Sequence, residues 1–356
     1  MKAVQYSEFG SPEKGDVEFA AKLKMVEVDK PSSAAPSSPG KGYAVVKVKA
    51  VSGNPIDCKV FFGYLRGAWD CPLPFGVGYD FSGTIDSIVV DDDEGDGGKS
   101  KFKAGDDVFG VHWGRGDHGK MDADGEPIGS TFAEYVKIPV GQLSAKPSGL
   151  SHEKAAAVAL VGTTAYQALF ECLKVERGTR LLVLGGPTAV GRLAVQMAKN
   201  VGAWVATTAS TRNLEDIRRY EADLVIDYRE KDWAKDFPDQ LKDVDCVFDA
   251  VGEKEAFERS TKNPIIKQGG RFVSIANADG CGYDPNAHLP RLSFGSFLCL
   301  SNDADVQDRL ATMVVNGKLV VDIDKTYEEF TLSDVVDMFK YMNGGTSNGK
   351  NVMLVS

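Results

Sequence analysis

The sequence predicts an α/β fold with a doubly wound parallel sheet, and two observations support it. The first is a strand–turn–helix–strand unit. Leu181 to Leu184 is a continuous apolar run, typical of a strand covered on both faces of a parallel sheet. Gly185 and Gly186 allow a sharp turn, apolar residues then recur at helical spacing from Val190 to Val201, and Trp204 to Thr208 returns as a strand.

The second observation is that more strand-like runs follow this unit, separated by helical or loop segments. They are Leu224–Ile226, Cys246–Phe248, Arg271–Ile275 and Ser296–Leu300. Six strands that alternate with helices make a complete doubly wound sheet of the dinucleotide-binding, or Rossmann, type.

The turn at Gly186 favours binding of a dinucleotide pyrophosphate. Gly186 and Gly191 match the first and last glycines of G-x-G-x-x-G, while Thr188 stands at the middle position. Such a turn aims backbone N–H groups and the positive end of a helix at the phosphates. A purely structural glycine turn is the alternative interpretation.

The residues after the second strand favour NADPH over NADH. An NAD site usually places Asp or Glu here, whereas this chain has Ser210, Thr211 and Arg212. Hydroxyl groups and a guanidinium suit the 2′-phosphate of NADPH. Ser210 is also expected to cap a helix from Asn213 to Tyr220, and the two roles are compatible.

Length and composition indicate an ordinary globular protein of about two domains: 356 residues, 43% hydrophobic and 26% charged. A net charge of −10 argues against nucleic acid or an anionic membrane as partner. No leader peptide and no apolar run near the ~20 residues of a membrane span are evident, so we expect a cytoplasmic protein. Six scattered cysteines and four histidines predict no disulfide framework and no metal site.

The two ends of the chain are predicted to form strands and a helix outside the parallel sheet. The expected elements are two strands between Lys2 and Val28, a strand at Tyr43–Val51, a strand at Leu319–Ile323, a helix at Asp334–Met342 capped by Ser333, and a final strand at Asn351–Val355. Two polar, glycine-rich insertions are also evident. We expect residues 91–101 to form a solvated hairpin tip, and 112–129 to be either a lid or a surface loop.

Five sequence blocks in register carry a family resemblance: SGNPIDCK from Ser52, PFGVGYDFSGTI from Pro74, KAGDDVFG from Lys103, GSTFAEYVKIP from Gly129, and the strand–turn–helix unit. Together they resemble the medium-chain dehydrogenase/reductase superfamily. Within it the chain is similar to the zinc-independent quinone oxidoreductase branch and to NADPH-dependent alkenal/one oxidoreductases (2-alkenal reductases). The resemblance implies a GroES-like β-barrel catalytic domain at 1–150, completed by 319–356, and a Rossmann domain at 151–318.

The resemblance also implies that zinc is absent from the reaction. Zinc-dependent members carry Cys and His-Glu where this chain has Asn54 and Gly78-Tyr79-Asp80. Asn54 and Lys59 would be the catalytic residues, although Lys59 is equally well read as a solvated cation. The substrate wall would include Tyr64, Trp69 and Tyr79, which ordinary core packing also explains. The cofactor would contact Asn54, Thr163, Thr164, Gly186, Thr188, Ala189, Val190, Ser210, Thr211, Arg212, Tyr228, Val251 and Ile275.

The activity implied is reduction of the C=C bond of α,β-unsaturated carbonyls, with NADPH as hydride donor. Quinone reduction on the same scaffold is the alternative, and a non-catalytic NADPH-binding protein is a third hypothesis. Asn213 departs from the alkenal reductases, which have lysine there, so selectivity for the phosphate would either rest on Arg212 or be weaker. The expected partners are small-molecule conjugated carbonyls or quinones, and the oligomeric state, a homodimer included, is left open.

Overall fold

The computed structural model describes residues 1–32, 42–66, 73–89, 101–112, 130–262, 265–276, 292–297 and 303–355. The chain divides into two compact units. Unit 1 comprises Met1–Leu160, Ser301–Val315 and Val321–Ser356, and unit 2 comprises Val161–Leu300 and Asn316–Val320.

Sixteen strands and eight α-helices are assigned within the described residues. The strands are β1 Lys2–Tyr6, β2 Lys24–Glu27, β3 Tyr43–Gly53, β4 Phe75–Gly76, β5 Asp80–Val89, β6 Asp107–Val111, β7 Tyr135–Pro139, β8 Ser144–Ala145, β9 Arg180–Leu184, β10 Trp204–Ala209, β11 Leu224–Asp227, β12 Val244–Asp249, β13 Ile266–Ser274, β14 Leu292–Phe297, β15 Ile323–Tyr327 and β16 Lys350–Leu354. The helices are α1 Val17–Lys22, α2 Pro55–Phe61, α3 His152–Tyr166, α4 Ala189–Asn200, α5 Leu214–Arg218, α6 Ala256–Lys262, α7 Ala304–Val315 and α8 Leu332–Asn343.

Unit 2 contains the predicted doubly wound sheet, which confirms the fold class. Its six parallel strands run in the order β11-β10-β9-β12-β13-β14, so the chain reverses direction across the sheet between β9 and β12. Leu181 to Leu184 are fully buried, as expected for a strand with both faces covered. Ligands of such sheets bind at the carboxyl ends of the strands beside this reversal.

Unit 1 is built on a mainly antiparallel sheet in the order β15-β16-β3-β5-β6-β8, with β7 also paired to β3. The last strand of the chain, β16, therefore lies beside β3, and Asn351 pairs with Gly53. An aromatic core packs against this sheet and includes Phe19, Phe61, Phe62, Phe132 and Phe339. The ends of β16, β3 and β5 thus meet at one place.

The unit boundaries differ from those expected from the sequence. The expected break at 150/151 lies before α3, whereas the observed one falls within α3, after Leu160. Helix α7 belongs to unit 1 because it packs against β8, where the Ser144 hydroxyl donates to the carbonyl of Ala304 at 2.9 Å.

Several local predictions were wrong. Both strands expected between Lys2 and Val28 are present, as β1 and β2, but the sequence did not predict α1 between them, which forms because Phe19 and Leu23 are buried at helical i, i+4 spacing. The strand expected at Leu319–Ile323 is β15, which begins at Ile323. The cap of α8 is Thr331, whose hydroxyl accepts from the N–H of Asp334 at 3.2 Å, so Ser333 lies inside the helix.

One helical stretch of the described residues, His152–Cys172, is long and apolar enough to cross a membrane by length and composition. It comprises α3 and a π-helical turn at Gln167–Cys172. Of its most apolar window, 72% is buried inside the protein, which is typical of a helix in a protein core.

Candidate active site

The turn between β9 and α4 fits a dinucleotide pyrophosphate. Gly185 has a φ of 82°, and its N–H donates to the Thr208 hydroxyl at 2.9 Å. A Cβ on Gly186 would lie 2.2 Å from Oγ1 of Thr207, and one on Gly191 would lie 2.3 Å from the carbonyl oxygen of Gly185. Only glycine fits at these two positions, so the backbone stays open at the start of α4.

Thr188, at the middle position of the glycine motif, is the N-cap of α4. Its hydroxyl accepts from the N–H of Gly191 and donates to the carbonyl of Gly185, both at 2.9 Å. The next N–H groups, those of Ala189 and Val190, have no acceptor within a helix that begins there. Threonine thus closes the turn, and the first turn of the helix can still meet an anion.

A cavity of about 570 Å³ lies at the carboxyl ends of the central strands of unit 2. Its lining residues are Gly185, Thr208, Tyr228, Arg229, Glu230, Lys231, Asp232, Trp233, Val251, Glu253 and Arg259. Three of these side chains are basic and three are acidic, so their formal charges cancel. A neutral base of a dinucleotide suits such a cavity better than a phosphate does.

An ion-pair network forms one side of this cavity. Arg259 bonds to Asp232 and to Glu253, and the indole N–H of Trp233 donates to Glu253 at 2.6 Å. Burial raises the pKa of Glu253. No sequence pattern pointed to these residues, because they come from separate segments that only the fold brings together.

The residues predicted to bind the 2′-phosphate follow β10. Ser210 is buried and occupies the N-cap position of a 3₁₀ turn at Thr211–Asn213, but its side chain makes no capping hydrogen bond. The helix expected from Asn213 to Tyr220 is shorter, namely α5. Thr211 and Arg212 are exposed, and the Tyr228 side chain is half exposed at the cavity.

Apart from Asn54, the remaining predicted cofactor contacts also lie in unit 2. Thr163 and Thr164 are buried in α3. Val251 and Ile275 follow β12 and β13, where the carboxylate of Asp249 organises both loops. It accepts from the N–H groups of Val251, Gly252 and Glu253 and from the hydroxyl of Ser274, at 2.9 to 3.2 Å.

In unit 1, Asn54 belongs to a buried cluster with Lys350 and Asp80. The Lys350 ammonium donates to Oδ1 of Asn54 at 2.5 Å, to the carbonyl of Gly53 at 2.9 Å and to Oδ2 of Asp80 at 3.2 Å. The amide of Asn54 donates to Oδ2 of Asp80 at 2.8 Å. Asp80 is 0% exposed and Lys350 is 4% exposed. Lys350 was not predicted as a site residue, because it lies nearly 300 residues from Asn54 in the sequence.

Asp57 lies at the edge of this cluster in the first turn of α2. Its Oδ2 accepts from the backbone N–H of Asn54 at 2.7 Å, and no described residue pairs with its buried Oδ1. Burial, helped by the charge of Asp80 and opposed by this backbone hydrogen bond, raises the pKa of Asp57 to about 7. A carboxyl group is thus held there close to its titration point at neutral pH.

Lys59 lies two residues further on in α2, and its side chain is partly buried. Burial lowers the pKa of its ammonium. Within the described part of the chain, the ammonium forms no hydrogen bond or ion pair with another side chain. Lys59 is therefore a cation that a ligand oxygen could approach without breaking an existing contact.

The predicted substrate wall is described in part. Tyr79 is buried, and its carbonyl accepts from the N–H of His112 at 2.8 Å. Tyr64 is 64% exposed, with its ring edge-on to Phe62. Trp69 lies outside the described residues, as do nearly all of the two insertions at 91–101 and 112–129.

The residues at the position of zinc ligands in related enzymes do not fit a metal ion. Asn54 and Asp80 are already bound to the ammonium of Lys350, which supplies the positive charge between them. No group of three or more His, Cys, Asp or Glu side chains among the described residues could hold a metal ion. The side-chain oxygen atoms of Asn54 and Asp80 are thus arranged around a buried ammonium.

Comparison with known proteins places the chain in a family. The family model for the alcohol dehydrogenase GroES-like domain matches residues 40–148, and that for zinc-binding dehydrogenase matches 220–353. A 2-methylene-furan-3-one reductase of Solanum lycopersicum is 30% identical over 356 residues, covering 99% of this chain and 79% of that protein. A chloroplastic NADPH-dependent alkenal/one oxidoreductase of Arabidopsis thaliana is 29% identical over 357 residues, with the same coverage.

A solved structure agrees with these relatives. The quinone oxidoreductase from Coxiella burnetii superposes with a TM-score of 0.77 at 29% identity, covering 100% of this chain and 99% of that chain. The predicted resemblance is thereby confirmed, with relatives named as enone, alkenal or quinone oxidoreductases. The chain belongs to the medium-chain dehydrogenase/reductase superfamily of nicotinamide-dependent oxidoreductases.

Proposed function

We propose that this protein uses NADPH to reduce the C=C bond of α,β-unsaturated aldehydes and ketones. The observation that carries the proposal is the buried Asn54–Asp80–Lys350 cluster, which replaces a metal site by an ammonium. Relatives named as a 2-methylene-furan-3-one reductase and an alkenal/one oxidoreductase support the substrate class.

The charge that develops on the substrate explains why conjugation matters. Direct reduction of a carbonyl places a full negative charge on one oxygen. Metal-dependent relatives stabilise this charge with a divalent metal ion. Addition of hydride to the β-carbon of an enone instead spreads the charge into an enolate, which hydrogen-bond donors can stabilise. Lys59 is the proposed donor, because it is a partly buried cation without a side-chain partner in the described residues.

The proposed division of labour follows the two units. Unit 1 is the catalytic domain and supplies Asn54, Lys59 and the substrate wall. Unit 2 is the cofactor domain: the N–H groups at the start of α4 hold the pyrophosphate, and Ser210, Arg212 and Tyr228 hold the 2′-phosphate. The bound nicotinamide supplies the hydride. Thr163 and Thr164 contact the nicotinamide, and Val251 and Ile275 contact the cofactor through their backbones.

Quinone reduction is the second candidate function. The structural relative from Coxiella burnetii is named as a quinone oxidoreductase, and its likeness extends over the whole chain. A quinone is also a conjugated, electron-poor carbonyl compound, so the same donors would stabilise the charge that hydride transfer places on its oxygen.

A cytoplasmic location of the protein stays a prediction.

The deciding experiment is NADPH consumption against a panel of alkenals, enones, quinones and saturated aldehydes, followed by product analysis by mass spectrometry and NMR. We expect a saturated ketone from an enone and little activity with saturated aldehydes. Formation of an allylic alcohol would contradict C=C reduction. Turnover of quinones alone would favour the second candidate, and absence of any turnover would leave the non-catalytic hypothesis.

A further inference from the structure

The Asn54–Asp80–Lys350 cluster joins three strands to the start of a short helix. Lys350 begins β16, Asp80 begins β5, and Ser52 of β3 pairs with Asp80 in the sheet. Asn54 is the N-cap residue of α2. Because α2 has only seven residues, it is not stable by itself, and its position depends on the contacts made at its two ends.

The cluster leaves its central groups little freedom. The three N–H donors of the Lys350 ammonium meet three acceptors: the carbonyl of Gly53, Oδ1 of Asn54 and Oδ2 of Asp80. Asp80 also accepts from the Ser52 hydroxyl at 2.6 Å and from the N–H of Leu160 at 2.9 Å. The amide of Asn54 is therefore held in one orientation, with its oxygen toward the ammonium and its nitrogen toward the carboxylate.

The other end of α2 is fixed by packing. Phe61 is fully buried, and its ring centroid lies 5.3 Å from that of Tyr6 and 4.9 Å from that of Phe19. Its carbonyl accepts from the N–H of Gly10 at 2.9 Å. Lys59 lies between the two anchored ends. Since no described side chain binds its ammonium, the backbone of α2 sets the point from which the Lys59 side chain extends.

We propose that Asp80 and Lys350 are positioning residues: they hold Asn54, and with it the first turn of α2, so that Lys59 is aligned with the substrate oxygen. This inference rests on the proposed function, because it uses the role assigned there to Lys59. In the proposed arrangement, Asp80 and Lys350 themselves contact neither substrate nor cofactor. Their effect on the reaction passes mainly through the helix, so most of it must disappear when Lys59 is removed.

The test is a mutational cycle in the full-length protein. The double variant Asp80→Asn/Lys350→Met removes both buried charges together, which proteins tolerate better than the loss of one. The matched control is Asp337→Asn/Lys325→Met, which removes a surface pair with a 2.6 Å contact on the same unit. Each double variant is made with Lys59 present and with Lys59→Met.

The expected result is a fall in kcat of about 10- to 100-fold in Asp80→Asn/Lys350→Met when Lys59 is present. In the Lys59→Met protein the same pair of substitutions should cause a clearly smaller fall in kcat, and the Kd for NADPH shows how much of any remaining effect passes through Asn54 as a cofactor contact. The surface control should change none of these values. An unchanged kcat, or an equal fall with and without Lys59, would overturn the proposal.

Two further measurements keep the test decisive. If the double variant does not fold, Ser52→Ala removes one donor to Asp80, and kcat should fall about 2- to 10-fold only when Lys59 is present. Deuterium exchange at the Phe62 amide, which donates to the carbonyl of Cys58, should be faster in the buried-pair variant than in the surface control. If the wild type reduces no conjugated carbonyl, the proposed function fails, and exchange alone decides whether the cluster holds α2.

Discussion

Replacement of Lys350 by methionine is expected to destabilise the protein far more than replacement of an exposed lysine. Methionine keeps most of the apolar stem but leaves the Asp80 carboxylate, which is 0% exposed, without its counter-charge. It also removes the donor to two other buried acceptors, Oδ1 of Asn54 and the carbonyl of Gly53. Breaking a buried ion pair in this way costs about 3–5 kcal/mol.

The assay is the free energy of unfolding in urea or guanidinium, measured at pH 7 for four proteins. Lys350→Met should lose about 3–5 kcal/mol, and Asp80→Asn/Lys350→Met should lose clearly less, because no lone charge is then buried. Lys325→Met should lose about 0–1 kcal/mol, since Lys325 and Asp337 are 44% and 57% exposed and water screens their attraction. A loss below about 1 kcal/mol for Lys350→Met, or a double variant no more stable than the single one, would refute the reasoning.

Three other predictions follow from the sites. Arg212→Ala should reduce the preference for NADPH over NADH by about 10- to 150-fold if its guanidinium pairs with the 2′-phosphate, and equal catalytic efficiencies of the wild type with both cofactors would contradict this. Because burial raises the pKa of Asp57 to about 7, folding favours its protonated form, and stability falls as pH rises from about 4 through 7. Asp57→Asn should remove the share of this pH dependence that is due to Asp57, which thermal unfolding scans at pH 4–8 measure. If the stability of the two proteins changes with pH in the same way, the pKa of Asp57 is not raised by folding. Exhaustive chelation should leave activity intact, and one tightly bound zinc per chain, lost together with activity, would prove the opposite.

Local sequence patterns predicted much of unit 2. The apolar run of β9, the two glycines and the helical spacing of α4 are all encoded within about twenty residues, so the turn could be recognised without knowledge of the fold. Thr188 was the exception. As a departure from the glycine motif it weakened the prediction, whereas in the structure its hydroxyl caps α4 and closes the turn.

The short elements of unit 1 were harder to predict, because tertiary contacts decide them. Helix α1 has only six residues and depends on burial of Phe19 in the aromatic core. The cap of α8 illustrates the same difficulty at short range: Thr331 and Ser333 are both good capping residues by type, and the entry direction of the chain selects Thr331.

The sequence by itself determined the fold class, from strands that alternate with helices, and it predicted the turn proposed to bind the phosphates from a pattern within one short segment. The candidate residues Asn54 and Lys59 came from the family resemblance of the block that begins at Ser52. Only the tertiary structure placed Lys350 beside Asn54 and Asp80. The physical reason is that the pairing of β16 with β3 and of β3 with β5 brings these side chains together, and strand pairing over such separations leaves no periodic signal in the chain. The buried ammonium on β16 has acceptors from the end of β3, from Asn54 and from β5, so it can be recognised only after these segments are folded together.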